Sequence, residues 1–305
     1  MSAARLTLSP IHLTPAAAWL TERLTHHAPQ LGVFLPVGIA GPGGDATVLR
    51  LLADRGADIL EVGIPHHDPI YDGPLITHAY RQALYRGIGV AEALDTVHRT
   101  ASATAASLVV MTYWEPVRAW GPDRFARDLA AAGAAGAMIV DLPVSQAGPW
   151  LTAARRSGIH TPQLAARHSS DAEIRQIAAA ATGWVYAPAA HALTGYTGRL
   201  DLPSLTAFTQ RLHAAGPTPV VTGIGVSTPA KAAQVRHLVS AVVVGTPVIR
   251  PLLELGASDG LRAAADRVAA FAQALRPAAQ TMSNPPMNSR GLPRRHRNRG
   301  HPWDT

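Results

Sequence analysis

Eight short apolar runs separated by longer amphipathic stretches are the feature that most constrains the fold of this chain. The runs are mostly continuous rather than alternating, as expected of strands that are covered on both faces. Intervening segments such as residues 45–56, 121–133, 170–181 and 227–238 have helical periodicity. This repeated order of strand and helix predicts a parallel sheet. The predicted strands are residues 32–38, 58–63, 107–113, 136–142, 161–166, 183–188, 218–223 and 241–245.

The number of strands and the chain length together predict the architecture. Eight strands that alternate with helices favour an α/β fold of the (β/α)₈-barrel (TIM barrel) type, with an open doubly wound sheet as the alternative. The 305 residues, 47% of them hydrophobic, suffice for one such domain. An extra N-terminal helix over residues 14–28 is expected to cover the bottom of the barrel. We therefore predict one barrel domain over residues 1–276 and a disordered tail over residues 277–305, where Pro, Asn, Ser and Arg dominate.

The positive charge of the chain is concentrated in that basic tail. The formal net charge is +7, and residues 281–305 contain five arginines and one acidic residue. The rest of the chain therefore carries about +3, an ordinary surface charge. A basic extension of this kind is more often solvated than bound to nucleic acid. We expect no nucleic-acid partner.

Cysteine content and hydropathy limit the other classes of protein. The chain has no cysteine, which excludes disulfides, thiolate chemistry and zinc–sulfur sites. Its apolar runs are much shorter than the roughly 20 residues that a membrane span needs. The N-terminus lacks the basic-then-apolar order of a secretory signal. These features predict a cytoplasmic protein that does not associate with a membrane.

Two carboxylates occur close to the end of one predicted strand. Side-chain alternation places Glu61 on the same face of the second strand as Ile59 and Gly63. The C-terminal strand ends of a barrel surround its active site, so desolvation is expected to raise the pKa of Glu61 toward the range useful for proton transfer. Asp72 follows in a loop, residues 65–74, that three prolines and a glycine restrict. Either residue alone is compatible with a structural role, but together they permit proton donation and removal on one substrate.

Glycine-rich strips follow the last three predicted strands, at residues 194–198, 223–227 and 245–247. Barrels commonly build a phosphate site from the loops after strands seven and eight and the N-terminus of a short helix. Residues 247–256 are predicted to supply that helix, with Pro247 favourable in its first turn. Backbone N–H groups at such positions attract a dianion without lysine. One strip alone indicates only a turn, whereas three at adjacent strand ends predict a phosphate site.

The positions of histidine and lysine argue against a metal or a Schiff base. A metal-dependent aldolase needs three converging imidazoles, and the adjacent His66 and His67 are expected to point apart. The single lysine, Lys231, is predicted to lie in the exposed first turns of a helix, where a Schiff-base mechanism has no pocket. We expect no metal and no cofactor.

The segment ADILEVGIPHHDPIYDGP (57–74) resembles the active-site signature of the tryptophan synthase α subunit family. Both acids, the three prolines and their spacing coincide with that signature, and the resemblance covers about residues 30–255. It implies a lyase of the barrel fold that cleaves indole-3-glycerol phosphate by retro-aldol to indole and glyceraldehyde 3-phosphate, without a cofactor. Further motifs follow in the family's order: MTYWEPV (111–117), IVDLPVS (139–145), TGYTG (194–198), GIGVST (223–228) and VVVGTPVI (242–249).

The resemblance also implies roles for individual residues. Glu61 is expected to be the general acid/base, Asp72 to bind the indole N–H, and Tyr186 to line the pocket beside Glu61. Tyr113 and Thr197 lie in matching motifs and are expected to contact substrate. The phosphate is assigned to Gly198, Gly225, Gly245 and Thr246.

Several positions depart from the family pattern while the acids and the phosphate loops are kept. The usual Phe-Ser of the first loop is His66-His67, the usual Ala before the second acid is Tyr71, and a usual Asn is Glu115. By resemblance, these loops face a β subunit. The departures therefore favour a chain that acts without a tightly bound β subunit, in tryptophan biosynthesis or in a secondary pathway.

Two other functions are compatible with the same residues. One is a non-catalytic α-like partner that modulates a β-type subunit, although the intact Glu61 and Asp72 argue against it. The other is a barrel lyase that acts on another phosphorylated substrate, since the pocket is altered. Release of indole from indole-3-glycerol phosphate by the purified chain distinguishes both from the leading interpretation.

Overall fold

The structure is a computed structural model that describes residues 12–26, 29–41 and 43–276. Eight parallel strands form one sheet in these residues, and they are β1 (Gln30–Pro36), β2 (Ile59–Gly63), β3 (Ser107–Thr112), β4 (Gly136–Ile139), β5 (Gln163–Leu164), β6 (Val185–Tyr186), β7 (Val220–Thr222) and β8 (Ala241–Val244). Their order in the sheet is β4-β3-β2-β1-β8-β7-β6-β5. Each strand overlaps one of the eight apolar runs, so the predicted strands are confirmed.

The two ends of this sheet, β4 and β5, meet and make it a barrel. A parallel bridge joins Gly136 to His160, just before β5. In it, the Ala137 N–H donates to the His160 carbonyl at 3.0 Å, and the His160 N–H donates to the Ala135 carbonyl at 2.8 Å. The sheet is therefore a nearly closed (β/α)₈ barrel, and the open doubly wound alternative is excluded.

Helices follow the strands around the outside of the barrel. The segments predicted as helical at residues 45–56, 121–133, 170–181 and 227–238 are confirmed, although the last helix is shorter than predicted. No helix in the described part of the chain is long and apolar enough to cross a membrane. The helices are α1 (Pro15–His26), α2 (Asp45–Asp54), α3 (Pro74–Tyr85), α4 (Val90–Ala101), α5 (Trp114–Trp120), α6 (Pro122–Ala132), α7 (Gly148–Ser157), α8 (Asp171–Ala180), α9 (Leu202–Ala215), α10 (Pro229–Val235), α11 (Thr246–Glu254) and α12 (Ala257–Leu275).

Alternation along the strands separates two apolar cores. On β2, Ile59 belongs to the core inside the barrel, whereas Leu60 and Val62 belong to the core between the sheet and the helices. Glu61 shares the inward face with Ile59, because successive side chains of a strand point to opposite faces. The predicted orientation of β2 is confirmed, and it directs one carboxylate into the barrel.

The predicted N-terminal helix is α1, which covers the end of the barrel opposite the strand C-termini. Its Leu20 and Leu24 pack in the same core as Ile59 and Trp184 inside the barrel. His160 Nε2 lies 2.9 Å from the Ala17 carbonyl, so the bridge that closes the barrel is also linked to α1. The predicted disordered tail, residues 277–305, lies outside the described residues.

Leu20→Ala is expected to destabilise the barrel, because Leu20 is fully buried and its loss leaves a cavity beneath the strands. The expected loss in the free energy of unfolding is about 2–5 kcal/mol. Urea denaturation measures it, with Glu22→Ala on the exposed side of α1 as the control, for which a change within about 0.5 kcal/mol is expected. Equal stability of the two variants would show that α1 does not support the barrel.

Candidate active site

A cavity of about 210 Å³ opens at the C-terminal ends of the strands, where a (β/α)₈ barrel carries its active site. Its floor consists of apolar side chains from inside the barrel, and its walls are the loops that follow β2, β6, β7 and β8. The floor includes Phe34, Met111, Met138, Val140 and Val243, and the wall residues include Tyr71, Asp72, Thr194, Gly195, Tyr196, Thr197, Gly223, Ile224, Gly225, Ser227, Gly245, Thr246 and Pro247.

Glu61 lies at this floor in an apolar environment. Its neighbours in register are Phe34 on β1 and Val109 on β3, both of which pack in the inner core. The side chain is 3% exposed, and within the described residues Oε1 is buried without a hydrogen-bond partner. Burial, helped by the negative charge of Asp72, raises the pKa of Glu61 from 4.5 to about 8. Glu61 therefore holds its proton at neutral pH.

Asp72 is also buried, but it has hydrogen-bond donors. The Tyr113 hydroxyl donates to Oδ2 at 2.9 Å, and the Thr194 hydroxyl donates to Oδ1 at 3.4 Å. Burial raises the pKa of Asp72 to about 6, and these two hydrogen bonds oppose the increase. Asp72 is therefore mostly ionised at neutral pH, in contrast to Glu61.

Thr194 joins the loop after β6 to the loop that carries Asp72. Its hydroxyl accepts a hydrogen bond from the Gly73 N–H at 2.7 Å, and its own N–H donates to the Tyr71 carbonyl at 3.3 Å. The two loops thus hold each other above the cavity. Sequence reasoning gave Thr194 no role of its own, because this contact joins residues more than 120 positions apart.

Tyr113 has a different place from the one predicted. It is fully buried at the end of β3 and is not among the residues that line the cavity. Its hydroxyl binds Asp72 and accepts a hydrogen bond from the Tyr71 N–H at 3.3 Å. The His66 ring stacks on the Tyr113 ring with centroids 4.8 Å apart. The expected contact between Tyr113 and substrate is therefore corrected to support of Asp72.

Tyr186 lies at the end of β6 and lines the cavity, as predicted. Its hydroxyl accepts a hydrogen bond from the Ile224 N–H at 2.8 Å, which fixes the start of the loop after β7. Burial raises the pKa of Tyr186, and the negative charge that Glu61 carries once it is ionised at higher pH raises it further. Tyr186 therefore remains a neutral phenol beside the carboxyl groups.

Four residues predicted for the phosphate or substrate line one part of the cavity, namely Thr197, Gly225, Gly245 and Thr246. Gly225 has a φ of +102°, and a Cβ there would lie 2.8 Å from the Cβ of Ala190, so the position requires glycine. Gly245 is the N-cap of α11, whose positive N-terminal end attracts an anion. This part of the cavity is suited to a phosphate group.

Gly198 does not line the cavity, contrary to expectation, whereas Gly195 does. The Gly198 carbonyl instead accepts a hydrogen bond from Lys231 Nζ at 2.7 Å. The structure thus places Gly195, and not Gly198, at the cavity beside Gly225 and Gly245. Both glycines belong to the single motif TGYTG (194–198), so the sequence did not show which of them lines the cavity.

Two arginines at the rim of the cavity were not identified from the sequence. Arg250 and Arg267 line its outer edge, on α11 and α12. Arg250 pairs with Glu254 at 2.7 Å. Both side chains add positive charge beside Gly245 and Thr246, but neither follows a recognisable motif.

The described residues contain no group of three or more His, Asp or Glu side chains arranged to hold a metal ion. His66 is engaged by Tyr113, and His168 packs edge-on against His191 with ring centroids 5.9 Å apart. The absence of a metal and of a cofactor remains a prediction.

Comparison with known sequences gives one consistent family. The family model described as "Tryptophan synthase alpha chain" matches residues 25–280. The tryptophan synthase alpha chain of Leifsonia xyli is 35% identical over 254 residues, which are 83% of this chain and 97% of the relative. That of Streptomyces coelicolor is 36% identical over 221 residues, which are 72% of this chain and 81% of the relative.

Solved structures agree with the sequence relatives. A chain of Mycobacterium tuberculosis tryptophan synthase superposes with a TM-score of 0.78 at 30% identity, covering 87% of this chain and all of the other. The tryptophan synthase subunit alpha of Legionella pneumophila superposes with a TM-score of 0.76 at 28% identity, covering 85% and 98% of the two chains.

Glu61→Gln is expected to change how stability depends on pH. The folded state raises the pKa of Glu61, so the stability that this group contributes is complete below about pH 4.5 and is lost as pH rises through about 8. The variant cannot ionise, so its free energy of unfolding should increase relative to that of the wild type from about pH 5 to about pH 9. Urea denaturation across this range measures the difference.

Glu22→Gln, which changes an exposed glutamate of α1, is the control. It removes one carboxyl group without changing the interior of the barrel. A difference between Glu61→Gln and the wild type that does not vary with pH would mean that folding does not raise the pKa of Glu61.

Proposed function

The chain belongs to the tryptophan synthase alpha chain family, and we propose that it cleaves indole-3-glycerol phosphate by retro-aldol to indole and glyceraldehyde 3-phosphate. The observation that carries this proposal is the pair of buried carboxyl groups, Glu61 and Asp72, with pKa values raised to about 8 and about 6. They share one cavity with three loops that contain glycine. A neutral acid and an anion are thus available together near pH 7.

In the proposed mechanism, Glu61 is the general acid and then the general base. Its protonated carboxyl group donates a proton to C3 of the indole ring, the carbon that bears the side chain. The bond between C3 and the side chain then breaks, and its electron pair restores the aromatic ring. The side-chain hydroxyl becomes a carbonyl and gives its proton to the Glu61 carboxylate. A pKa near the working pH suits both transfers.

Asp72 would stabilise the intermediate between these steps. Protonation at C3 leaves a positive charge on the indole nitrogen, and an ionised carboxylate that accepts a hydrogen bond from this N–H stabilises that charge. The hydrogen bonds from Tyr113 and Thr194 support the ionised state of Asp72. The different environments of the two acids therefore suit two different roles.

The other end of the cavity would bind the phosphate. Gly195, Gly225 and Gly245 allow the backbone to approach a dianion closely, and the Thr246 hydroxyl adds a donor. The N-terminus of α11 points its partial positive charge at the same place. Tyr186 and Thr197 would line the path between the phosphate and the acids. The cytoplasmic location expected from the sequence remains part of this proposal.

Glu61→Gln should reduce indole formation from indole-3-glycerol phosphate by about 10²–10⁴-fold, because an amide cannot transfer the proton. Asp72→Asn should reduce indole formation by about 10²-fold, because the amide carries no negative charge to stabilise the intermediate. The loss should be smaller than for Glu61→Gln, since the amide oxygen still accepts a hydrogen bond from the indole N–H. Indole is measured with excess EDTA present throughout. Activity of Glu61→Gln within a few-fold of the wild type would exclude the proposed role, and loss of wild-type activity in EDTA would indicate a metal enzyme.

We propose further that the chain acts without a tightly bound β subunit, the partner that the name of its relatives implies. Thr194 already holds the two loops above the cavity together within this chain. Glu115 is exposed in the first turn of α5, and burying an unpaired carboxylate at an interface is unfavourable. Against this proposal, Ile70 and Leu193 are 54% and 50% exposed, which offers apolar surface to a partner.

The purified chain should therefore form indole at a rate that a β subunit from a sequence relative changes by less than about fivefold, the lower end of common coupling between sites. Steady-state indole release, with and without the β subunit, gives this ratio, and the mass in solution reports complex formation. A large stimulation together with a stable mixed complex would restore the role of an ordinary α subunit.

A further inference from the structure

Lys231, the single lysine of the chain, does not lie free on the helix surface as the sequence suggested. It lies in the first turn of α10 and is only partly exposed. Its Nζ donates to the Thr197 carbonyl at 2.9 Å and to the Gly198 carbonyl at 2.7 Å. It also lies 2.9 Å from Ser227 Oγ and 3.3 Å from the Gly225 carbonyl. One ammonium group thus contacts two loops.

These two loops form adjacent walls at the phosphate end of the cavity. Thr197 belongs to the loop after β6, whereas Gly225 and Ser227 belong to the loop after β7, and all three line the cavity. The Tyr196 ring lies beside the same ammonium, with Nζ 5.9 Å from the ring centroid. The side chain of Lys231 therefore joins the walls at their outer side.

The acceptors of Lys231 matter because three of them are backbone carbonyl oxygens. A carbonyl oxygen carries partial negative charge and repels a phosphate group, whereas an ammonium engages it favourably. The loop after β6 is also exposed at Tyr196, Thr197 and Gly198, so without a tether it would lose conformational freedom when a ligand binds. The contacts of Lys231 offset the partial negative charge of the carbonyl oxygens and hold the loop after β6 in place before a ligand binds.

We propose that Lys231 is a positioning residue for the phosphate end of the site. It holds the segment Thr197–Gly198 against the loop Gly225–Ser227, so that the cavity is already arranged when a phosphorylated ligand enters. Its charge also favours binding of a dianion. The role rests on the proposed function only in that the ligand carries a phosphate; the reaction at Glu61 and Asp72 does not involve Lys231.

Kinetics with indole-3-glycerol phosphate test this role. Lys231→Met, which keeps the length of the side chain but removes its charge and donors, should raise KM about tenfold and change kcat by less than about threefold. Lys231→Arg should recover part of the loss. Arg262→Met removes one exposed positive charge from α12 and should leave both constants unchanged. A KM for Lys231→Met within twofold of the wild type would overturn the proposal.

A binding experiment separates this proposal from the proposed reaction. Calorimetry with glycerol 3-phosphate, and with glycerol as the reference, requires no catalysis. The wild type should bind the phosphorylated compound, and Lys231→Met should bind it about tenfold more weakly with an unchanged thermal midpoint. If the wild type binds glycerol 3-phosphate more tightly than Lys231→Met but forms no indole, the proposed reaction is wrong and the proposed role of Lys231 is supported. No binding by the wild type, or equal binding by both proteins, overturns that role.

Trypsin reports directly on the tether, because Arg199 follows the segment that Lys231 holds and is exposed. Cleavage after Arg199 should be several-fold faster in Lys231→Met than in the wild type, and glycerol 3-phosphate should slow it in both. Cleavage after Arg118, which is exposed on α5, is the internal reference. Equal rates after Arg199 in the two proteins would contradict a tether.

Discussion

The burial of Glu61 inside the barrel is the constraint on which the site depends. Because β2 directs alternate side chains to opposite faces, the carboxyl group shares the apolar interior with Ile59, Phe34 and Val109. Removing a carboxylate from water disfavours its charged form, so the pKa rises without any special donor or acceptor. The contribution of this group to stability is thereby lost at high pH, and the folded protein gains an acid that is protonated at neutral pH.

Most of the other groups of the site come from loops, and contacts between these loops determine the position and the hydrogen bonds of each group. Thr194 reaches Asp72 and Gly73 from the loop after β6, and Tyr113 reaches Asp72 from the end of β3. These donors keep Asp72 ionised beside a protonated Glu61. Lys231 acts similarly at the other end, where it joins two loops that the strands alone do not hold together.

The sequence predicted what depends on local pattern and on strand order. Apolar runs predicted the eight strands, alternation placed Glu61 on the same face as Ile59, and the glycine strips included Gly225 and Gly245, which line the cavity. It did not predict contacts between distant residues, which have no signature in one sequence. Tyr113 was therefore expected to contact substrate, whereas its hydroxyl donates to Asp72. Lys231 was expected to be exposed to solvent, whereas it contacts residues 33 and 34 positions away.

Burial and the charge of Asp72 together keep Glu61 protonated near neutral pH. Carbon-13 NMR of the glutamate side-chain carboxyl groups, with Glu61→Gln to assign the resonance, measures this pKa directly. We expect a titration near pH 8 in the wild type and a lower midpoint in Asp72→Asn, because that variant removes a neighbouring negative charge. A midpoint near the ordinary value of 4.5 in the wild type would contradict it.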